Sequence, residues 1–197
     1  VNGKDQPSTE QMVQYKNFIF TNCWSYDNKI LVIDTQTDSV VDYIEVGIQP
    51  TSLVIDKYNK IWTITDGGYE GSPYGHTAPA LYRIDAETRK IEQTFNFELG
   101  ESGSEICMNG TRDTLYFINK HIWRMAATSD KLPDKPFLEN PTTNHWYGLT
   151  VNPYNSDVYL ADAIDYTQPG RIYRYNVHGE LLDQFEVGII PGAFCFK

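Results

Sequence analysis

Tyr69, Glu70, Tyr74 and His76 crowd one stretch, GGYEGSPYGH at 67–76, between the strand-like runs IWTITD and ALYRID. Two further stretches share its texture: NCWSYDN at 22–28 carries Trp24, Tyr26 and Asp27, and AIDYTQPG at 163–170 carries Asp165, Tyr166 and Gln168. Trp146, next to Asn144 and His145, completes the set. Such rings offer large, rigid contact area at low entropic cost, which suits a broad flat ligand or a protein partner. The bland alternative is that they pack loop against loop. Asp27, Glu70, Asp165 and Gln168 are placed to hydrogen-bond a ligand's rim, or are simply solvated. His76 and His145 have the chemistry of a metal ligand, but a histidine in a loop is more often a hydrogen-bonding surface group.

Catalytic templates are missing. GGYEGSPYG lacks the lysine and following Ser or Thr of a phosphate-binding loop, and no G-x-S-x-G, H-E-x-x-H or paired-cysteine zinc spacing is present. Glu105, Asn144 and Asp162 are the one acid and amide group resembling a calcium-dependent lactonase set, and they come from unequal positions. The expectation is therefore no enzyme, no catalytic residue, no metal and no required cofactor, with an enzyme of the lactonase or quinoprotein type, or a protein-interaction scaffold, as alternatives.

Composition narrows the partners. A formal charge of -10 on 197 residues repels phosphate backbones and anionic lipid headgroups, so nucleic acid is not expected. No apolar run is long enough to span a membrane, and the opening VNGKDQPSTE has neither the basic nor the apolar segment of a signal peptide. Cys23, Cys107 and Cys195 fit neither a disulfide framework nor a metal site and read as buried thiols, the last two in the apolar strand-like contexts SEICMN and GAFCFK.

The elements that must position these residues repeat with a period of about 40 to 50 residues. Four copies occupy approximately 7–48, 49–100, 101–142 and 143–188, the third being the poorest, and IIPGAFCFK at 189–197 begins a further copy with one strand. Each copy is expected to hold four short alternating runs, A to D; in the second these are Thr51 to Asp56, Lys60 to Thr65, Ala80 to Asp85 and Ile91 to Glu98. Alternation of β-branched and aromatic residues with polar ones, broken by Asn-, Asp- and Gly-rich turns, reads as antiparallel strands. Four strands per copy at this period predict an all-β fold, a β-propeller of four-stranded blades. With about four blades here, and a start in mid-element, the chain reads as a single propeller domain or a fragment of a larger ring of about seven or eight blades. A closed four-bladed ring and paired half-rings are the alternatives.

Antiparallel order puts the D to A and B to C links on one face and the tight A to B and C to D turns on the other. All eleven candidate residues named above fall on the long-link face. His121 and His178 lie at or near turns of the opposite face and read as structural. Asp34 and Asp85, each ending a strand C, are expected to accept backbone N–H groups in the turn that follows. Trp62, Tyr82, Tyr116, Trp123, Tyr159 and Tyr173 recur at strand positions and read as packing.

The run VIDTQTDSVVDYIEVGIQPTSLVIDKYNKIWTITD resembles the YncE-like propellers, and the likeness extends over nearly the whole chain. The tyrosine-rich, acidic texture and the closing VGIIPGAFCFK are similar to the surface layer type of propeller lipoprotein that captures cobalamin for a TonB-dependent outer-membrane transporter. That resemblance implies a non-enzymatic cell-surface protein with a corrinoid as ligand and the transporter as partner. It also implies export to the outer membrane, with the signal and lipid anchor outside this sequence.

Overall fold

Period-two alternation becomes hydrogen-bonded ladders in the computed structural model, which describes residues 8–25, 27–141 and 144–197; Tyr26 lies outside them. Every helix or strand among the described residues is a strand. The chain divides into two compact units, 1–104 and 105–197.

In the first unit, β1 (Thr9–Tyr15), β2 (Phe18–Cys23), β3 (Lys29–Asp34) and β4 (Ser39–Glu45) form one antiparallel sheet in chain order. A second sheet of the same order follows with β5 (Pro50–Ile55), β6 (Lys60–Thr65), β7 (Ala80–Asp85) and β8 (Ile91–Asn96). These match runs A to D of the second copy within two residues at each end. Phe20, Ile30, Val32, Leu53, Ile61 and Ile84 fuse into one apolar cluster, which is what alternation with one buried face produces. Trp62 is fully buried and donates its indole N–H to Asp56 Oδ2 at 2.9 Å, so the ring packs as expected of the strand aromatics.

β9 (Gly103–Met108) begins at the division between the units and pairs with β10 (Thr114–Asn119), which pairs with β11 (His121–Ala126). This sheet has three strands among the described residues. Where a fourth would stand, a single bridge joins Ile122 to Leu138. The segment after β11, KLPDKP, is proline- and charge-rich and cannot donate a continuous ladder, which is why the third copy departs from its neighbours. The last sheet, β12 (Trp146–Val151), β13 (Val158–Asp162), β14 (Arg171–Tyr175) and β15 (Leu181–Glu186), restores the chain-order pattern. Tyr116, Ile118, Ile122, Leu149, Val158 and Leu160 form the second unit's main cluster.

The expected strand at 189–197 is not formed. Phe194 and Phe196 turn inward against Tyr159 while Cys195 faces out, so the alternation is real, but no ladder partner converts it into a strand. Cys195 is accordingly exposed, which corrects its reading as a buried thiol. Burial pushes the Cys23 thiol up to about 11, with Asp27 adding to the effect, and pushes Cys107 up as well.

The tight turns behave as their residue types require. Asp34 Oδ1 accepts the Gln36 N–H at 2.8 Å and Asp85 Oδ1 accepts that of Thr88 at 2.7 Å. His121 Nδ1 accepts the Asn140 N–H at 3.0 Å, a structural role, and His178 lies in the turn closed by Asn176 Oδ1.

Candidate functional site

Within the second unit, Asp162 at the end of β13 is 3% exposed, and its Oδ1 accepts two backbone N–H groups, from His145 and from Ile164, each at 2.9 Å. The Ala163 N–H closes on the His145 carbonyl at 3.0 Å and the Tyr166 N–H on that of Ala163 at 2.9 Å. One buried carboxylate thus welds the approach to β12 onto the β13–β14 link. The link is strained: Ile164 has φ 56° and Tyr166 has φ 64°. A left-handed β-branched residue is an outlier that persists only where surrounding contacts over-determine it.

That clamp gathers three rings. Tyr166 stacks on His145, centroids 6.0 Å apart and planes 27° apart, and meets Tyr147 edge-on at 5.9 Å. His145 Nδ1 lies against the Ile164 carbonyl. Tyr147 and Tyr166 are 43% and 48% exposed, so the rings face solvent. Tyr147 owes its direction to a β-bulge. Trp146 pairs with Asp162 and Gly148 with Ala161, leaving Tyr147 as the extra residue.

The bulge also separates neighbours that the sequence grouped together. Trp146 turns inward, edge-on to Tyr173 at 5.5 Å and against the apolar cluster, with its indole N–H buried and unbonded. Asp165 Oδ1 accepts from Thr167 N, Thr167 Oγ1 and Gln168 N, and Oδ2 accepts from Gln168 Nε2 at 3.0 Å. These bonds, the Thr167 N–H first, hold the carboxyl below the usual range, and they tie Asp165 and Gln168 to each other as a loop brace. Asp162, named above for a lactonase-like group, spends Oδ1 on the clamp.

In the first unit, the 67–76 loop is a closed knot. Gly68 and His76 form an isolated antiparallel bridge, and the Thr77 N–H reaches the Gly67 carbonyl at 2.9 Å. Its base is fastened to the link before β5: Asp66 N to Gln49 O and Gly67 N to Ile48 O, both at 3.1 Å, while Gln49 N reaches Asp27 O at 2.8 Å. Asp27 is therefore brought to the base of this loop. Tyr69, Glu70, Tyr74 and His76 are exposed along the loop, as is Trp24 in the β2–β3 link. Asp66, half-buried with Oδ1 on the Gly68 N–H at 2.7 Å, has its carboxyl raised by desolvation.

Tyr147 is the ring that sequence reasoning missed. The signal is the adjacent pair Trp146-Tyr147 before Gly148, where alternation cannot place both rings on one face. Among the described residues no group of three or more His, Cys, Asp or Glu is arranged to hold a metal ion, and no helix is long and apolar enough to cross a membrane.

No family model matches the chain, and no characterised protein matches it by sequence. Solved structures do. Hydrazine synthase of Kuenenia stuttgartiensis matches with a TM-score of 0.66 over 87% of this chain and 46% of its own, at 10% identity. A quinonprotein alcohol dehydrogenase-like protein of Bacteroides thetaiotaomicron matches at 0.67, over 90% and 45%, at 14% identity. The fold is that of a β-propeller. A luciferin-regenerating enzyme matches at 0.60, over 91% of this chain and 62% of its own, again at 14% identity. The chain thus spans about half the length of the first two. The expectation of a non-enzymatic chain is corrected by the same comparison: two of these neighbours are named as enzymes and the third as dehydrogenase-like, so a propeller sheet pattern without a familiar catalytic motif is no ground for excluding a reaction.

Proposed function

We propose that this chain is the ligand-binding part of a β-propeller protein and that its second unit receives a planar ring ligand against Tyr147, His145 and Tyr166. The observation that carries the reading is the strained clamp on Asp162. It holds three rings in one solvent-facing cluster, at a backbone cost of order 1–3 kcal/mol for each left-handed residue. Folding alone gains nothing from exposing those rings. Sites built this way, on a bulge and a fixed loop over a rigid sheet, lose little entropy when a ligand arrives.

The resemblance to cobalamin-capturing propellers makes a corrinoid the first planar ligand to offer, with a TonB-dependent transporter and the cell surface as the corresponding partner and place; those particulars rest on the resemblance alone. Calorimetric titration with cobinamide and cyanocobalamin tests it. Saturable heat that falls at least about tenfold in affinity for Tyr166→Ala supports the reading, since losing a ring contact removes roughly 0.5–1.5 kcal/mol beyond area burial. Absence of heat with both corrinoids removes the corrinoid.

A further inference from the structure

The neutral His145 ring is held in one tautomer by backbone alone. A carbonyl oxygen can only accept a hydrogen bond, so the ring nitrogen lying against the Ile164 carbonyl, Nδ1, carries a proton. In the neutral ring the lone pair is then on Nε2. The carbonyl itself is fixed in place, because the Ile164 N–H is bound to Asp162 Oδ1 and the residue is left-handed at φ 56°. The same oxygen fixes the His145 backbone through its N–H. Donor ring and acceptor carbonyl are thus two ends of one clamp, and the residue is exposed.

The surroundings say what Nε2 is left for. Tyr166 covers a face of the imidazole and Tyr147 meets Tyr166 edge-on. Asp162 Oδ1 and both oxygens of Asp165 are engaged by donors of the chain itself. The geometry points to His145 Nε2 as an acceptor that this site offers a ligand. We propose that it selects planar ring ligands that carry an O–H or N–H donor, phenols being the simplest, over rings of the same shape without one. The proposal rests on the ring-binding reading above and adds the ligand's chemical class to it.

Long-range 1H–15N spectra of the histidine rings test this, recorded above the ordinary imidazole titration range, with His145 assigned by the signals lost in His145→Asn. The expected result is an unprotonated Nε2. Adding 4-methylphenol should shift that nitrogen together with the ring signals of Tyr147 and Tyr166. The probe 4-methylanisole, which keeps the ring and lacks the donor, should bind about tenfold more weakly, the worth of one hydrogen bond. His145→Asn keeps a donor for the Ile164 carbonyl and removes Nε2, so both probes should then bind alike and weakly. A protonated Nε2, or equal affinity of the two probes for the unmodified protein, overturns the proposal while leaving ring binding intact. If neither probe moves the Tyr147 and Tyr166 signals, the ring-binding reading fails, and this one with it.

Discussion

Asp162 does its work through one oxygen, which gives two substitutions different consequences. Asp162→Asn keeps an Oδ1 acceptor for the His145 and Ile164 N–H groups, whereas Asp162→Ala leaves both part-buried donors without it. An unsatisfied donor costs about 1–3 kcal/mol when fully buried, and these two are only part-buried, so the alanine variant is expected to lose roughly 2–4 kcal/mol in urea unfolding and the asparagine variant less than half of that. Equal losses would mean the charge, and not the acceptor geometry, holds the clamp. Of the rings this clamp gathers, Tyr166 is legible in the sequence as an aromatic in a long link, and His145 as its neighbour on the same predicted face. Tyr147 is less so: a bulge is a mismatch between two strands, and within one strand the adjacent Trp146-Tyr147 pair says only that the two rings part company. Gln168 and Asp165 read from composition as ligand-facing groups, but side chains two or three residues apart in a loop satisfy each other first.

At the scale of elements, alternation and turn chemistry locate the second copy well: β5 to β8 fall where the sequence predicts them, because each strand there has a partner of matching length. The missing fourth strand of the third sheet and the unformed strand at 189–197 show the converse, since a strand is a property of a pair. The 67–76 loop gives a sharper test of what glycine contributes. A Cβ on Gly67, at φ 79°, would come within 2.1 Å of the Thr77 carbonyl oxygen; on Gly71, at φ 83°, it would meet nothing within 4 Å. Both positions are left-handed, which alone costs about 1–2 kcal/mol for alanine. Gly71→Ala should therefore lower stability by about 1 kcal/mol with the loop intact. Gly67→Ala should cost clearly more and break the Thr77 N–H bond to residue 67, seen as faster amide exchange at Thr77. Similar exchange in the two variants would show that the knot does not depend on that close approach.

For the molecule as a whole, acidity is a pH-dependent load on stability, and two carboxyls pull in opposite directions. Lys60 Nζ lies 2.6 Å from Asp85 Oδ2, and that bond, helped by the Thr88 N–H, lowers the Asp85 carboxyl to about 2 from 3.8. A depressed acid stabilises the fold above its unfolded value, and the stabilisation is lost as pH falls through the folded value, here between about 4 and about 2. Its worth at neutral pH is about 1–2 kcal/mol, allowing for the partly exposed pair. Asp66 is the reverse case. Burial raises its carboxyl above 3.8, so the charged form costs stability at neutral pH, and the cost disappears as pH falls through the raised value towards 3.8. Asp66→Asn retains the Oδ1 acceptor for the Gly68 N–H and removes the charge. It should raise the melting temperature at pH 7 and leave it unchanged near pH 3, whereas Asp85→Asn should lower it at pH 7 with the difference closing near pH 2. Because the chain's pI is about 4.8, these scans are best read on either side of that value, where net charge keeps the protein in solution. A gain from Asp66→Asn that persisted unchanged at pH 3 would trace the effect to packing in the loop, since protonation has by then removed the charge from the unmodified protein as well.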